Sequence, residues 1–135
     1  MNESIAIVGR TNVGKSLLFN KLTKAKKSLV INYHGVTRDI NSGYIELDGK
    51  TIYIEDTGGI PEIADEFSQL IIDKVLKSIS QAKLILFVVS AADGLTNQDK
   101  EICKMLRKLD RNTVLLVNKC DLTRKSQPIS EFYEL

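Results

Sequence analysis

SIAIVGRTNVGKSLLFNKL, residues Ser4 to Leu22, carries a strand, a tight turn and a helix start in one unbroken run. Its opening, SIAIVG, does not alternate polar with apolar positions, which is the pattern of a strand buried on both faces in a parallel sheet. Lys15 to Lys24 reads as a helix. Between the two, GRTNVGKS from Gly9 to Ser16 fits G-x-x-x-x-G-K-[ST], in the strand-before, helix-after context that this pattern requires. Its chemistry is that of the backbone. Glycines allow successive N–H groups to turn inward around phosphate oxygens, and the following helix points its positive end at the same place. Gly9, Asn12, Val13, Gly14, Lys15 and Ser16 are therefore the expected phosphate cradle. Within it the Lys15 ammonium would neutralise β- and γ-phosphates and the Ser16 hydroxyl would ligate Mg²⁺.

Outward from this unit, two further apolar runs, LILFVVS (84–90) and TVLLVN (113–118), also read as strands buried on both faces. Phe67, Leu70, Ile71, Val75, Leu76 and Ile79 recur at helical spacing before the first of them. Ile102, Cys103, Leu106 and Leu109 do so before the second, behind TNQD, in which Thr96 is the expected helix cap. SGYIELDGKTIYIEDT is two alternating strands around Asp48-Gly49, a dipeptide suited to a type I′ hairpin turn. The expected fold is α/β: a phosphate-loop, three-layer α/β/α domain with a mostly parallel, doubly wound sheet and one antiparallel edge strand. Residues 1–135 read as a single domain that ends before its last strand and helix.

Composition fits this. The chain has 135 residues, 43% hydrophobic and 27% charged, as a soluble globular domain does. A net charge of +2 is too small to argue for nucleic acid or membrane by itself. Cys103 and Cys120 have neither a zinc-ligand spacing nor a neighbouring histidine, so reduced thiols in a cytoplasmic protein are expected. The longest apolar stretch, Leu84 to Val89, is far below the roughly 18 residues of a membrane span.

NKCD, Asn118 to Asp121, follows the third buried run, at the strand end where doubly wound sheets bind ligands. A carboxylate at Asp121 can accept parallel hydrogen bonds from N1–H and the 2-amino group of guanine. Adenine offers neither donor, so the expected base is guanine. Asn118 would tie the base loop to the phosphate loop, and the Lys119 stem would lie over the purine.

GRTNVGKS, GVTRD, DTGG and NKCD, in that order, resemble the nucleotide-binding motifs of the translation-factor-related GTPases. Together with DGLTNQDKEI they are most similar to the first G domain of the EngA (Der) family of bacterial tandem-domain GTPases, and are shared in part with Era and MnmE. The resemblance implies Thr37 and Asp56 as further Mg²⁺ residues and the Gly59 N–H as a γ-phosphate donor. Loss of that phosphate would then loosen the switch segments 28–40 and 57–67. Leu17 stands where the family usually has threonine, and its N–H would still reach the α-phosphate. The resemblance also implies a second G domain and a KH-like domain in a longer chain, and the large ribosomal subunit and its rRNA as partners. His34, Arg38 and the lysines at 21, 24, 26 and 27 read as loop and helix-end residues without a catalytic task.

Ile60 occupies the position at which Ras-like proteins carry a water-orienting glutamine. The relatives with asparagine at the place of Asn12 use it to hold K⁺ beside the α- and γ-phosphates, so the resemblance implies a K⁺-stimulated GTPase cycling between GTP and GDP. Two outputs stay open at this level: a hydrolysing switch with Lys15, Thr37, Gly59 and Asn12 as its catalytic residues, or a nucleotide-gated docking module with little hydrolysis of its own.

Overall fold

The computed structural model of the chain describes residues 3–11, 13–25, 30–33, 40–60, 66–118 and 135. Strand β1 (Glu3–Val8) lies inside a six-stranded sheet of order β2-β3-β4-β1-β5-β6. Its parallel neighbours are β4 (Lys50–Asp56) and β5 (Leu84–Ser90), and β5 pairs in parallel with β6 (Asn112–Asn118). The register places Ile7 opposite Asp56 and Ser90 opposite Asn118. The carboxyl ends of four parallel strands therefore meet on one edge. β1 is also where the strand order turns from one side of the sheet to the other, the position at which open α/β sheets bind ligands.

The two faces of β1 explain the layers. Ile7 packs with Ile54, Val88 and Phe19, the last from helix α1 (Lys15–Ala25). Ala6 and Val8 face the other way and join Ile85, Phe87 and Val89 beneath helices α2 (Glu66–Ile79) and α3 (Asn97–Arg107). Helices cover both faces, giving the three-layer architecture. The cap expected at Thr96 is present as a reciprocal box: Asp99 N–H donates to Thr96 Oγ1 at 3.1 Å, and Thr96 N–H donates to Asp99 Oδ2 at 3.1 Å. Asp48 and Gly49, with φ of 51° and 77°, form the hairpin turn between β3 (Ile40–Leu47) and β4.

Three details depart from the sequence reading. The antiparallel strand β3 stands one place in from the edge, because β2 (Val30–Tyr33) pairs outside it. That strand falls in a segment read as a loop. VINY is rich in strand-forming residues but too short to show a period. β6 is not buried on both faces: Val114 is exposed and Leu115 to Asn118 are half-buried, since β6 is the outermost strand among the described residues. On α2 the core stripe is Ile71, Ile72, Val75 and Ile79, whereas Leu70 is 54% exposed. Ile72 and not Leu70 completes the buried arc, a rotation that Phe67-to-Ile79 spacing left open. Among the described residues no helix is long and apolar enough to cross a membrane.

This rotation of α2 has a measurable consequence. Ile72→Ala should lower the unfolding free energy by about 2–5 kcal/mol, as truncation of a buried isoleucine does. Leu70→Ala, on the exposed side, should stay within about 0.5 kcal/mol of the parent. Equilibrium urea unfolding of both variants measures this, and a larger loss for Leu70→Ala than for Ile72→Ala would show the helix packed the other way round.

Candidate functional site

The loop after β1 is shaped by how closely it passes under its neighbours. A Cβ on Gly9 would lie 2.5 Å from the Val88 carbonyl oxygen and 3.1 Å from Val13 Cγ2, so only glycine lets β1 run past β5 into the loop. Val13 is fully buried with Phe19 beneath α1, which anchors the middle of the loop in the core. Lys15 begins α1, is almost wholly buried, and donates from Nζ to the Arg10 carbonyl at 2.7 Å. The ammonium thus arches back over the loop. The first turn of α1 holds no acidic side chain, so its positive end is not internally neutralised. Leu17, 66% exposed, points its side chain to solvent in the same turn.

The end of β4 supplies the opposite wall. Asp56 is 2% exposed, yet both of its oxygens have donors: Ser16 Oγ to Oδ2 at 3.1 Å and the Gly58 N–H to Oδ1 at 3.2 Å. Two hard oxygen groups, one from the phosphate loop and one from the sheet, are thereby brought side by side. Magnesium takes oxygen ligands and needs few from the protein when phosphates and water supply the rest, so this pair fits that ion. Among the described residues no group of three or more His, Cys, Asp or Glu side chains is placed to hold a metal ion. Thr57 pins the chain beyond β4 to β1, with N–H and Oγ1 both donating to the Ile7 carbonyl at 3.3 and 2.8 Å.

Gly59 then passes against the phosphate loop. A Cβ there would lie 2.2 Å from Thr11 Cγ2 and 2.9 Å from Thr11 Cα, so any larger residue must move the backbone. Ile60 donates its N–H to the Gly9 carbonyl at 3.0 Å and buries its side chain to 2% exposure among residues of α2 and α3. At the base end, Asn118 Nδ2 donates to the Val13 carbonyl at 2.9 Å, and the Ala91 N–H donates to the Asn118 carbonyl at 2.8 Å.

The structure therefore groups Gly9, Val13, Gly14, Lys15 and Ser16 with Asp56, Gly59 and Asn118 on one sheet edge. Leu17 shares the helix turn without turning its side chain inward. Asn12, Thr37, Lys119 and Asp121 lie outside the described residues, as do His34 and Arg38. Sequence reasoning missed Arg10, Asp93, Gln98 and Asp99. The Arg10 guanidinium is within 2.6 Å of Asp93 Oδ2, and its Nε is 3.2 Å from Asp99 Oδ1. The second pair is at ion-pair distance but is not aligned as a hydrogen bond. Gln98 Nε2 donates to the Ile60 carbonyl at 2.7 Å. The one signal for this group was TNQD, which shows a helix cap but not what its other side chains touch.

Residues 4–119 match the family model described as 50S ribosome-binding GTPase. The chain is 46% identical over 132 residues to GTPase Der of Buchnera aphidicola subsp. Acyrthosiphon pisum (strain Tuc7), a match that covers 97% of this chain and 29% of that protein. It thus spans less than a third of the length of the curated relatives it matches. Among solved structures, Era of Aquifex aeolicus bound to GDP and AlF4⁻ superposes with a TM-score of 0.76 at 29% identity, covering 99% of this chain and 46% of that one. Era in complex with MgGDPNP and nucleotides 1506–1542 of 16S ribosomal RNA gives 0.72 at 30% identity, covering 98% and 44%. With the family model spanning most of its length and the phosphate loop in place at the sheet edge, the chain belongs to the 50S ribosome-binding GTPase family.

Proposed function

We propose that this chain is a single G domain that binds GTP, hydrolyses it to GDP and phosphate, and uses the difference as a conformational switch. The observation that carries this reading is the meeting of Lys15, Ser16, Asp56 and the Gly59 backbone at one sheet edge. In this reading the N–H groups from Asn12 to Leu17 cradle the phosphates, and Lys15 exchanges the Arg10 carbonyl for β- and γ-oxygens. Asn118, Lys119 and Asp121 hold guanine. Ser16, Thr37 and Asp56 would hold Mg²⁺, which when bound supplies positive charge to the β- and γ-oxygens.

Hydrolysis needs water aligned opposite the β–γ bridging oxygen, and stabilisation of the charge that gathers there as that P–O bond breaks. The attacking water's proton ends on the released phosphate. Ile60 can do neither job: its side chain is apolar and built into the core. Orientation of the water then falls to backbone groups, with the Gly59 N–H on a γ-oxygen and Thr37 closing the switch. Asn12 and backbone carbonyls of the 28–40 segment would hold K⁺. That ion supplies a charge that Arg10, the arginine within the phosphate loop, does not bring, since Asp93 and Asp99 engage it.

A cytoplasmic role in assembly of the large ribosomal subunit, with rRNA in contact, extends this reading. The large subunit is supported by the family description, and contact with rRNA by the Era structure that contains 16S rRNA. The similarity to Der further supports a longer protein with a second G domain and a KH-like domain. A second reading, a docking module with negligible turnover, is favoured by the burial of Ile60 alone.

Two outcomes decide between them. With Mg²⁺ present and ionic strength fixed, GTP turnover should be about ten-fold or more faster in K⁺ than in Na⁺, and Asn12→Ala should abolish that difference. Equal, near-zero rates with tight GTP binding would establish the docking module instead. Gly59→Ala should retain GDP binding but lose most of its preference for a non-hydrolysable GTP analogue, because the methyl group drives the chain off Thr11. Titration with both nucleotides measures it, and an unchanged preference would remove Gly59 from the γ-phosphate site.

A further inference from the structure

Ile60 is tethered at both ends of its own backbone. Its N–H is held by the Gly9 carbonyl, and its carbonyl accepts from Gln98 Nε2 at 2.7 Å. The next residue is Pro61, which has no N–H, so the chain beyond offers no donor at its first position with which to return to the sheet. The Gln98 amide is thus the last described side-chain bond on the chain before it leaves for α2.

Gln98 is presented from a rigid support. It is the second residue of α3, between Asn97 and Asp99. Asp99 is fully buried, with Oδ2 closed by the capping box and Oδ1 beside Arg10 Nε at 3.2 Å. Arg10 follows Gly9, which holds Ile60. The tethers make a closed circuit: Gly9 to Ile60, Ile60 to Gln98, Gln98 through the helix turn to Asp99, and Asp99 to Arg10. A helix-capping role accounts for Thr96 and Asp99. It does not account for Gln98, whose amide points across to another element.

One residue before Ile60 is Gly59, pressed on Thr11. The Gly59 N–H lies two peptide planes before the Ile60 carbonyl, and the plane between them is the one held at the Gly9 carbonyl, so the two tethers on Ile60 frame the backbone that carries it. We propose that Gln98 is a positioning residue for the γ-phosphate: by fixing the Ile60 carbonyl it aims the Gly59 N–H into the phosphate site, so it contributes to binding and hydrolysis of GTP and little to binding of GDP. The inference rests on the GTPase reading above and assigns α3, a helix with none of the nucleotide motifs, a part in telling the two nucleotides apart.

The test uses Gln98→Glu and Gln98→Leu with GDP, a non-hydrolysable GTP analogue and GTP. Glutamate suits the first turn of a helix, so Q98E should keep the parent's melting temperature. At about pH 8 the introduced carboxylate has no proton to donate and faces the Ile60 oxygen. Affinity for the GTP analogue and kcat should each fall about three- to ten-fold, the scale of one lost hydrogen bond. GDP affinity should stay within about two-fold in both variants, because GDP has no γ-phosphate for Gly59 to meet. As pH is lowered through about 4, the ordinary range for a glutamate, the carboxyl group of Q98E gains a proton it can donate. The Q98E rate normalised to the parent should then recover, while that of Q98L should not. An unchanged analogue-to-GDP affinity ratio in both variants would overturn the proposal. So would an equal loss for both nucleotides without recovery at low pH, which is what a merely structural residue gives. If the parent chain binds GTP but does not turn it over, the hydrolysis reading fails, and the affinity ratio still decides the role of Gln98.

Discussion

The hydrogen bond from the Ile60 N–H to the Gly9 carbonyl, 3.0 Å long, joins the chain leaving β4 to the chain leaving β1. Most of the site depends on it. It extends the parallel pairing of the two strands by one bridge, from Arg10 to Ile60, past the point where the sheet proper ends. That extension carries Gly59 onto Thr11 and keeps Asp56 within reach of Ser16. It can exist because Ile60 has an apolar side chain to bury beneath α2 and α3. A glutamine there would have to leave its amide in the core without partners or turn outward and give up the packing. The buried isoleucine side chain thus secures the backbone that pins the chain after β4 to the phosphate loop.

The electrostatic arrangement follows from the same closeness. Lys15 and Arg10 sit five positions apart in one loop, and their charges are kept from competing. Lys15 turns back over the loop onto a carbonyl, whereas Arg10 turns away toward Asp93 and Asp99. A buried carboxylate such as Asp99 is costly without partners. Here its position is shared between a helix cap and a guanidinium, so α3 and the phosphate loop are each supported by the other. The guanidinium is spent on holding the fold, and the ammonium is the cation kept over the phosphate loop.

Much of this was legible in the sequence because it is local. GRTNVGKS carries its own geometry, Asp48-Gly49 dictates its turn, and the Thr96 cap needs only residues three positions on. Two of the three hydrophobic runs, those of β1 and β5, marked central strands, and the order of motifs placed them on one edge. What was not legible depends on register between separate elements. Nothing in the local pattern of α2 says that Ile72 rather than Leu70 faces the sheet. Val30–Tyr33 is a strand only because β3 offers it a partner. TVLLVN resembles the central strands in composition, yet its place at the outside leaves Val114 exposed. Gln98 and Arg10 find their partners 38 and 83 positions away, beyond the reach of any periodic argument.

The bond from Asn118 to the Val13 carbonyl spans 105 positions of a 135-residue chain. Both ends of that bond lie at the sheet edge proposed to hold the nucleotide, and they cannot meet until the crossovers that set β1, β5 and β6 side by side are complete. Parallel pairings of this range are the late and slow events of folding, since each closes a long loop before any contact rewards it. A chain in which those crossovers are unfinished therefore lacks the link between the phosphate loop and the end of β6. A ligand that needs both ends of that bond binds the native state in preference to the unfolded one, and at about a hundred times its Kd would add about 2.7 kcal/mol to the stability of the entire domain. Under the proposed function, guanine nucleotide would act on this protein as a folding partner before it acts as a signal.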